Sequence, residues 1–175
     1  HPLIKVTIIP RGKALGAAWY LPEERQIVTK EQILDELCAT LGGRVAEQIT
    51  FGKISTGALN DLEKVTKQAY AMVTYYGMSD KVGNLSFYDS TGQSEYSFSK
   101  PYGDEVAKVI DSEVQEIIRN SYQRAYDLLM QNQPGFVRLA ELLLEKEVIF
   151  GEDLEKIFGK RLFQEHRIFE ETTKE

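Results

Sequence analysis

The chain has 175 residues, 42% of them apolar and 27% charged, with a formal net charge of −6 at pH 7. This is the balance of one ordinary globular domain with a core of its own, and its acidity argues against nucleic acid as a partner and against nonspecific attraction to anionic lipid. The single cysteine, Cys38, excludes an intrachain disulfide, points weakly to a reducing compartment and, at an apolar helical position, reads as a core residue.

Leu3 to Ile9 places Ile4, Val6 and Ile8 on one face, and Leu15 to Leu21 is a second β-prone stretch. Turn residues at Pro10–Ala14 join them, predicting a small antiparallel hairpin that needs helices to cover it. Thr29 with Gln32 is a capping-box pair, and Ile33, Leu34, Leu37, Cys38 and Leu41 follow at helical spacing. Val45, Ala46 and Ile49 carry that face past Gly42-Gly43. Glycines there cost about 1 kcal/mol each against alanine, so either another backbone approaches closely or the helix breaks in two.

A further helix is expected from Ala58 to Tyr76, burying Leu62, Val65, Ala69, Met72 and Val73 and ending at Gly77. Residues 79–100 read as a polar surface loop with a possible short strand at Leu85–Tyr88. Pro101 opens the longest helix, to about Asn132, with Val106, Val109, Ile110, Val114, Ile117, Ile118, Ala125, Leu128 and Leu129 along one stripe. Gln133-Pro134-Gly135 marks a break. Helices follow over Phe136–Glu147, with Leu139, Leu142 and Leu143 inside, and over Gly151–Gly159, before a charged tail at 161–175. The fold class is mostly α: a helical bundle with a small N-terminal β-hairpin, residues 1–160 forming the domain.

Three motifs stand in order along the chain: Leu41-Gly42-Gly43-Arg44-Val45-Ala46-Glu47, Ile54-Ser55-Thr56-Gly57-Ala58-Leu59-Asn60-Asp61-Leu62-Glu63, and Tyr76-Gly77-Met78-Ser79. With the strand Lys5-Val6-Thr7-Ile8-Ile9-Pro10-Arg11-Gly12, they resemble the peptidase domain of the FtsH family of membrane-anchored, ATP-dependent zinc proteases, over roughly residues 3 to 160. In that family a helix bearing His-Glu-x-x-His precedes the strand. The motif does not occur in these 175 residues, and His1 and His166, the two histidines present, have no ligand spacing to each other or to Asp61. His1-Pro2 enters a strand with no initiator methionine, no leader and no apolar run of membrane-spanning length, so the expectation is an excised piece beginning after that helix and inactive alone.

The resemblance implies roles for particular residues. Asp61 becomes the third zinc ligand, in a helix first turn where exposed amides favour negative charge by about 0.3–1 kcal/mol. From its position alone Asp61 reads first as a helix-cap or dipole residue, and only the resemblance reverses that reading. Glu47 is implied as the carboxylate that accepts the remaining N–H of a ligating histidine, with direct ligation and a solvated surface role as alternatives. Leu15, Gly16, Ala17 and Ala18 are implied as a strand edge that aligns an extended peptide; otherwise they are the covered half of a hairpin. For the parent the family implies zinc, ATP and Mg in an AAA module absent here, unfolded polypeptide substrates, a homo-hexamer, and a missing N-terminal anchor in a bacterial inner or cell membrane with this domain cytoplasmic. A noncatalytic helical interaction or oligomerisation domain is the reading from another class. An anion site at Ser55-Thr56-Gly57 is disfavoured because Asp61 repels phosphate. The excision should also leave exposed an apolar groove where the missing helix belongs.

Overall fold

The computed structural model describes residues 2–12, 14–21, 27–88 and 101–160. They belong to two compact units, Arg25–Gln131 and the pair of segments His1–Glu24 and Asn132–Glu175.

The first unit is helical: α1 (Lys30–Phe51), a 3-10 turn (Thr56–Ala58), α2 (Leu59–Thr74) and α3 (Asp104–Gln131). The capping box forms as its sequence predicts. Thr29 Oγ1 accepts the Gln32 N–H at 3.3 Å, and Gln32 Oε1 accepts the Thr29 N–H at 2.9 Å. α1 then runs unbroken through Gly42 and Gly43 to Gly52. The expected close backbone approach is not found, since a Cβ on either glycine meets nothing within 4 Å. Both lie off the buried stripe of Ile33, Leu37, Cys38, Leu41 and Val45, whose packing holds the helix together across them.

α2 buries Val65, Ala69, Met72 and Val73. It ends where Gly77 takes a φ of 61° and the Met78 N–H donates to the Met72 carbonyl at 2.9 Å. Leu85–Tyr88 is not a strand. Instead the Phe87 N–H donates to Thr74 O at 2.7 Å and the Phe87 ring meets Tyr102 edge-on, 4.9 Å between centroids. α3 starts three residues beyond Pro101 and buries Ile110, Val114, Ser121 and Ala125, while Val106, Val109 and Leu128 of the expected stripe are exposed. Leu37, Leu41, Val65 and Met72 form the centre of the core, and Val73, Ile110 and Val114 extend it. Each such side chain contributes about 1.5–3 kcal/mol by burial.

The second unit holds β1 (Leu3–Thr7), β2 (Ala17–Tyr20), α4 (Gln133–Lys146), β3 (Val148–Phe150) and α5 (Gly151–Phe158). The expected hairpin is two strands of an antiparallel sheet in the order β2-β1-β3. β3 went unpredicted because three apolar residues wedged between two helices give no period to read. Pro134 sits in the first turn of α4, where its missing N–H costs nothing, so it starts that helix and does not merely break the chain. Leu139, Leu142 and Leu143 are only half-buried.

The face of β1 also differs from expectation. Ile4 and Ile8 are exposed, and the buried residue is Thr7. Its hydroxyl donates to Glu147 O at 2.9 Å, the carbonyl at the end of α4 that also accepts the Ile8 N–H at 3.1 Å. A polar residue is covered here because it satisfies a carbonyl where the chain turns from helix to strand. The tail from residue 161 lies outside the described residues.

Candidate metal-ligand site and strand edge

Asp61 is the third residue of α2 and is exposed. Its carboxylate makes no hydrogen bond or ion pair with any described residue. Capping belongs to another side chain: Ser55 Oγ accepts the Gly57 N–H at 3.1 Å and opens the 3-10 turn that leads into α2. Asp61 is therefore placed by the turn and left free by it, in the first-turn position where helix amides favour an anion. The same turn is not an open anion cradle, because the N–H groups of Ser55 and Gly57 both have internal acceptors.

The turn is gripped from α1. Glu47 accepts the Ser55 N–H at 3.1 Å with one oxygen and the Ser55 hydroxyl at 2.6 Å with the other. Arg44 Nη1 donates to the Ser55 carbonyl at 2.6 Å. Hydrogen bonds from the Ser55 side chain, and then from its backbone, hold the Glu47 carboxyl below the usual carboxylate range, with Arg44 adding to the effect. Sequence reasoning singled out Glu47 but missed Ser55 and Arg44. The signal was present in Arg44 and Glu47, one turn apart on a helix face, followed by a Ser-Thr-Gly helix start. Phe51, Ile54 and Leu59 near the turn in sequence are exposed.

In the other unit, β2 pairs among the described residues only with β1. The Leu21 N–H donates to Pro2 O at 2.8 Å, and strand alternation puts the backbone groups of Trp19 and Ala17 on that same inner side, opposite Lys5 and Thr7. Ala18 and Tyr20 then present their N–H and C=O to an edge unpaired among the described residues. All four residues of β2 are exposed. Gly16 has an internal reason to be glycine: a Cβ there would stand 2.6 Å from Thr7 O. Its lack of a side chain admits β1. Leu15 is exposed, and Lys5 Nζ lies 5.0 Å from the centroid of the Trp19 ring.

His1 and His166 lie outside the described residues. Among the described residues no three His, Cys, Asp or Glu side chains gather as a metal set, so Asp61 does not by itself make a metal site. Cys38 packs with Val45 and Ala125, and burial pushes its thiol pKa up, as suits a core residue. No described helix is long and apolar enough to cross a membrane.

A free carboxylate at a helix start and an open strand edge are the parts from which metallopeptidases take a ligand and a rail for an extended substrate. The model of peptidase family M41 matches residues 1–157, and the chain belongs to that family. It is 66% identical over 161 residues to the ATP-dependent zinc metalloprotease FtsH of Parabacteroides distasonis, covering 92% of this chain and 23% of that protein. Against the Arabidopsis thaliana protein named ATP-dependent zinc metalloprotease FTSH 3, mitochondrial, it is 50% identical, covering 100% of this chain and 23% of the relative. The mouse mitochondrial inner membrane m-AAA protease component AFG3L2 is 49% identical, with 97% and 21% covered. The chain thus spans under a quarter of the length of these relatives.

Proposed function

We propose that this chain is the part of a zinc metalloendopeptidase domain that supplies the third metal ligand, Asp61, and the substrate strand, β2, while two histidines and the general-base glutamate come from a His-Glu-x-x-His helix outside these 175 residues. The observation that carries the reading is the unpartnered carboxylate of Asp61, presented by a braced turn in a chain of a peptidase family. The donor chemistry fits, since zinc peptidases combine imidazole with carboxylate and leave a position for water. Zinc when bound would lower the pKa of that water to about 7 and make it a nucleophile at neutral pH.

The residues of this chain do the rest of the work assigned to it. Asp61 contributes one negative charge and an oxygen donor. Ala18 and Tyr20 offer outward N–H and C=O groups to the main chain of an extended polypeptide, and the small side chains of Ala17 and Ala18 set no demand on its sequence. Binding of this kind suits processive degradation of unfolded or membrane proteins. The parent is then an ATP-dependent hexamer anchored in a bacterial membrane, with this domain cytoplasmic and ATP and Mg held by a separate AAA module. Without its partner helix the chain alone should hydrolyse nothing.

Zinc bound per chain, and peptidase activity, in the full-length protein with Asp61 intact and with Asp61→Ala test this. Near-stoichiometric zinc that is lost or greatly weakened in the variant supports it. Zinc held equally by both moves the third ligand elsewhere, Glu47 first, and no zinc in either favours a noncatalytic interaction module.

A further inference from the structure

Ser55 has three polar groups able to reach outside its own residue, and α1 takes all of them. The Glu47 carboxylate accepts its N–H and its O–H, and the Arg44 guanidinium donates to its carbonyl. The hydroxyl oxygen then serves a second time, accepting the Gly57 N–H that begins the 3-10 turn. Gly57 fits closely beneath this arrangement: a Cβ there would lie 3.2 Å from Ser55 Oγ and 3.6 Å from Glu47 Oε1. Only the 3-10 turn and the first residues of α2 separate this knot from Asp61. Asp61 itself makes no hydrogen bond to it.

We infer that Arg44, Glu47 and Ser55 form a latch that positions Asp61 for metal binding. The assignment rests on Asp61 being a ligand, and it gives Glu47 a different part from the one its motif suggests: it orients a ligand-bearing turn and does not buttress a histidine. A carboxylate with no hydrogen-bond or ion-pair partner has no polar contact to fix it, so its place depends on the backbone that carries it. That backbone leaves α1 at Gly52, runs as coil over 53–55 and would be free to wander if Ser55 were not tied back. Charge-assisted bonds from both Arg44 and Glu47 make the tie stronger than neutral hydrogen bonds would. Three bonds from one helix to one residue also fix the turn's direction as well as its distance.

The test is zinc affinity of the full-length protein by chelator competition, with a thermal midpoint for each metal-free variant. Ser55→Ala and Glu47→Gln should weaken zinc by about tenfold or more, the scale on which residues orienting a metal ligand act. Ser55→Thr, which keeps the hydroxyl, should recover most of the affinity. The decisive comparison is in the Asp61→Ala background, where adding Ser55→Ala should produce no further loss, because the latch then has no ligand to place. A merely structural role would lower the metal-free midpoint and weaken zinc equally in both backgrounds, and that outcome overturns the inference. Unchanged zinc affinity in Ser55→Ala, alongside loss in Asp61→Ala, also overturns it while leaving Asp61 a ligand. Full affinity in Asp61→Ala removes the ligand reading and the latch with it.

Discussion

The helical unit and the sheet unit solve opposite problems with the same chain. In Arg25–Gln131 the large side chains Leu37, Leu41, Val65, Met72 and Ile110 are fully buried, whereas in the sheet unit Ile149 is the one apolar residue buried among those described. The first unit has a core dense enough to hold a loop such as that at Ser55 in a fixed shape. The second commits its backbone to a three-stranded sheet in which β2 has one edge unpaired among the described residues. Each suits a different part of the proposed function: a single precisely carried carboxylate needs rigid helices beneath it, and a strand edge needs an unpaired backbone above all. Exposure that looks like a defect in β2 is what a main-chain partner requires.

The sharpest way to break this contrast is through the core. Leu37→Ala should cost about 2–5 kcal/mol by creating a cavity among close-packed neighbours, whereas Tyr20→Ala on the exposed strand should cost about 1 kcal/mol or less. Urea unfolding followed by residue-resolved hydrogen exchange measures both. Equal losses would mean that the sheet unit carries packing its burial does not reveal.

Gly16→Ala comes next. The added methyl would stand 2.6 Å from a backbone oxygen, which cannot swing aside as a side chain could, so β1 and β2 must part locally at a cost of about 1–3 kcal/mol. Exchange protection should fall across Leu3–Thr7 and Ala17–Tyr20 and stay unchanged in α1 and α2. A smaller change separates the strand's two edges. Ala18→Pro removes an outward N–H, so in the full-length protein it should raise KM for an unfolded polypeptide while leaving the thermal midpoint within about 1 kcal/mol of the parent's stability. Trp19→Pro removes an inward N–H and should lower the midpoint as well. The same midpoint loss from both variants would show that β2 is not an edge.

How much of this was legible in the sequence follows the same division. The helices announced themselves because Thr29 and Gln32 cap α1 and because their apolar positions recur over four or more turns. The sheet was legible only in part: the hairpin of β1 and β2 was expected, and a period of two put Ile4, Val6 and Ile8 on one face. The covered position instead went to Thr7, whose hydroxyl answers a carbonyl 140 residues away in sequence. The strand Val148–Phe150 was hidden for a similar reason, its partner lying at the other end of the chain. Asp61 and Glu47 were visible as motif residues, but the Ser55 knot was not, because a hydrogen bond between a helix and the loop after it leaves no periodic trace.

The smallest effect expected belongs to the acid side of the helical unit's pH dependence. Glu113 on α3 accepts from Lys81 Nζ at 2.7 Å and from Ser79 Oγ at 2.7 Å. The Lys81 bond chiefly, then Ser79, holds its carboxyl below the ordinary range against the opposing effect of burial, and the Lys81 ammonium is correspondingly raised. A carboxylate whose folded pKa lies below its unfolded one stabilises the fold above about pH 4.3 and loses that contribution as pH falls through the folded value. Glu113→Gln should therefore flatten the drop in thermal midpoint between neutral and acid pH without altering its plateau shape above it. Lys81 is half exposed, so added salt should weaken the wild-type contribution more than the variant's, which keeps the Lys81–Glu116 pair at 2.9 Å. A drop of undiminished size in Glu113→Gln would assign the acid lability to other carboxylates.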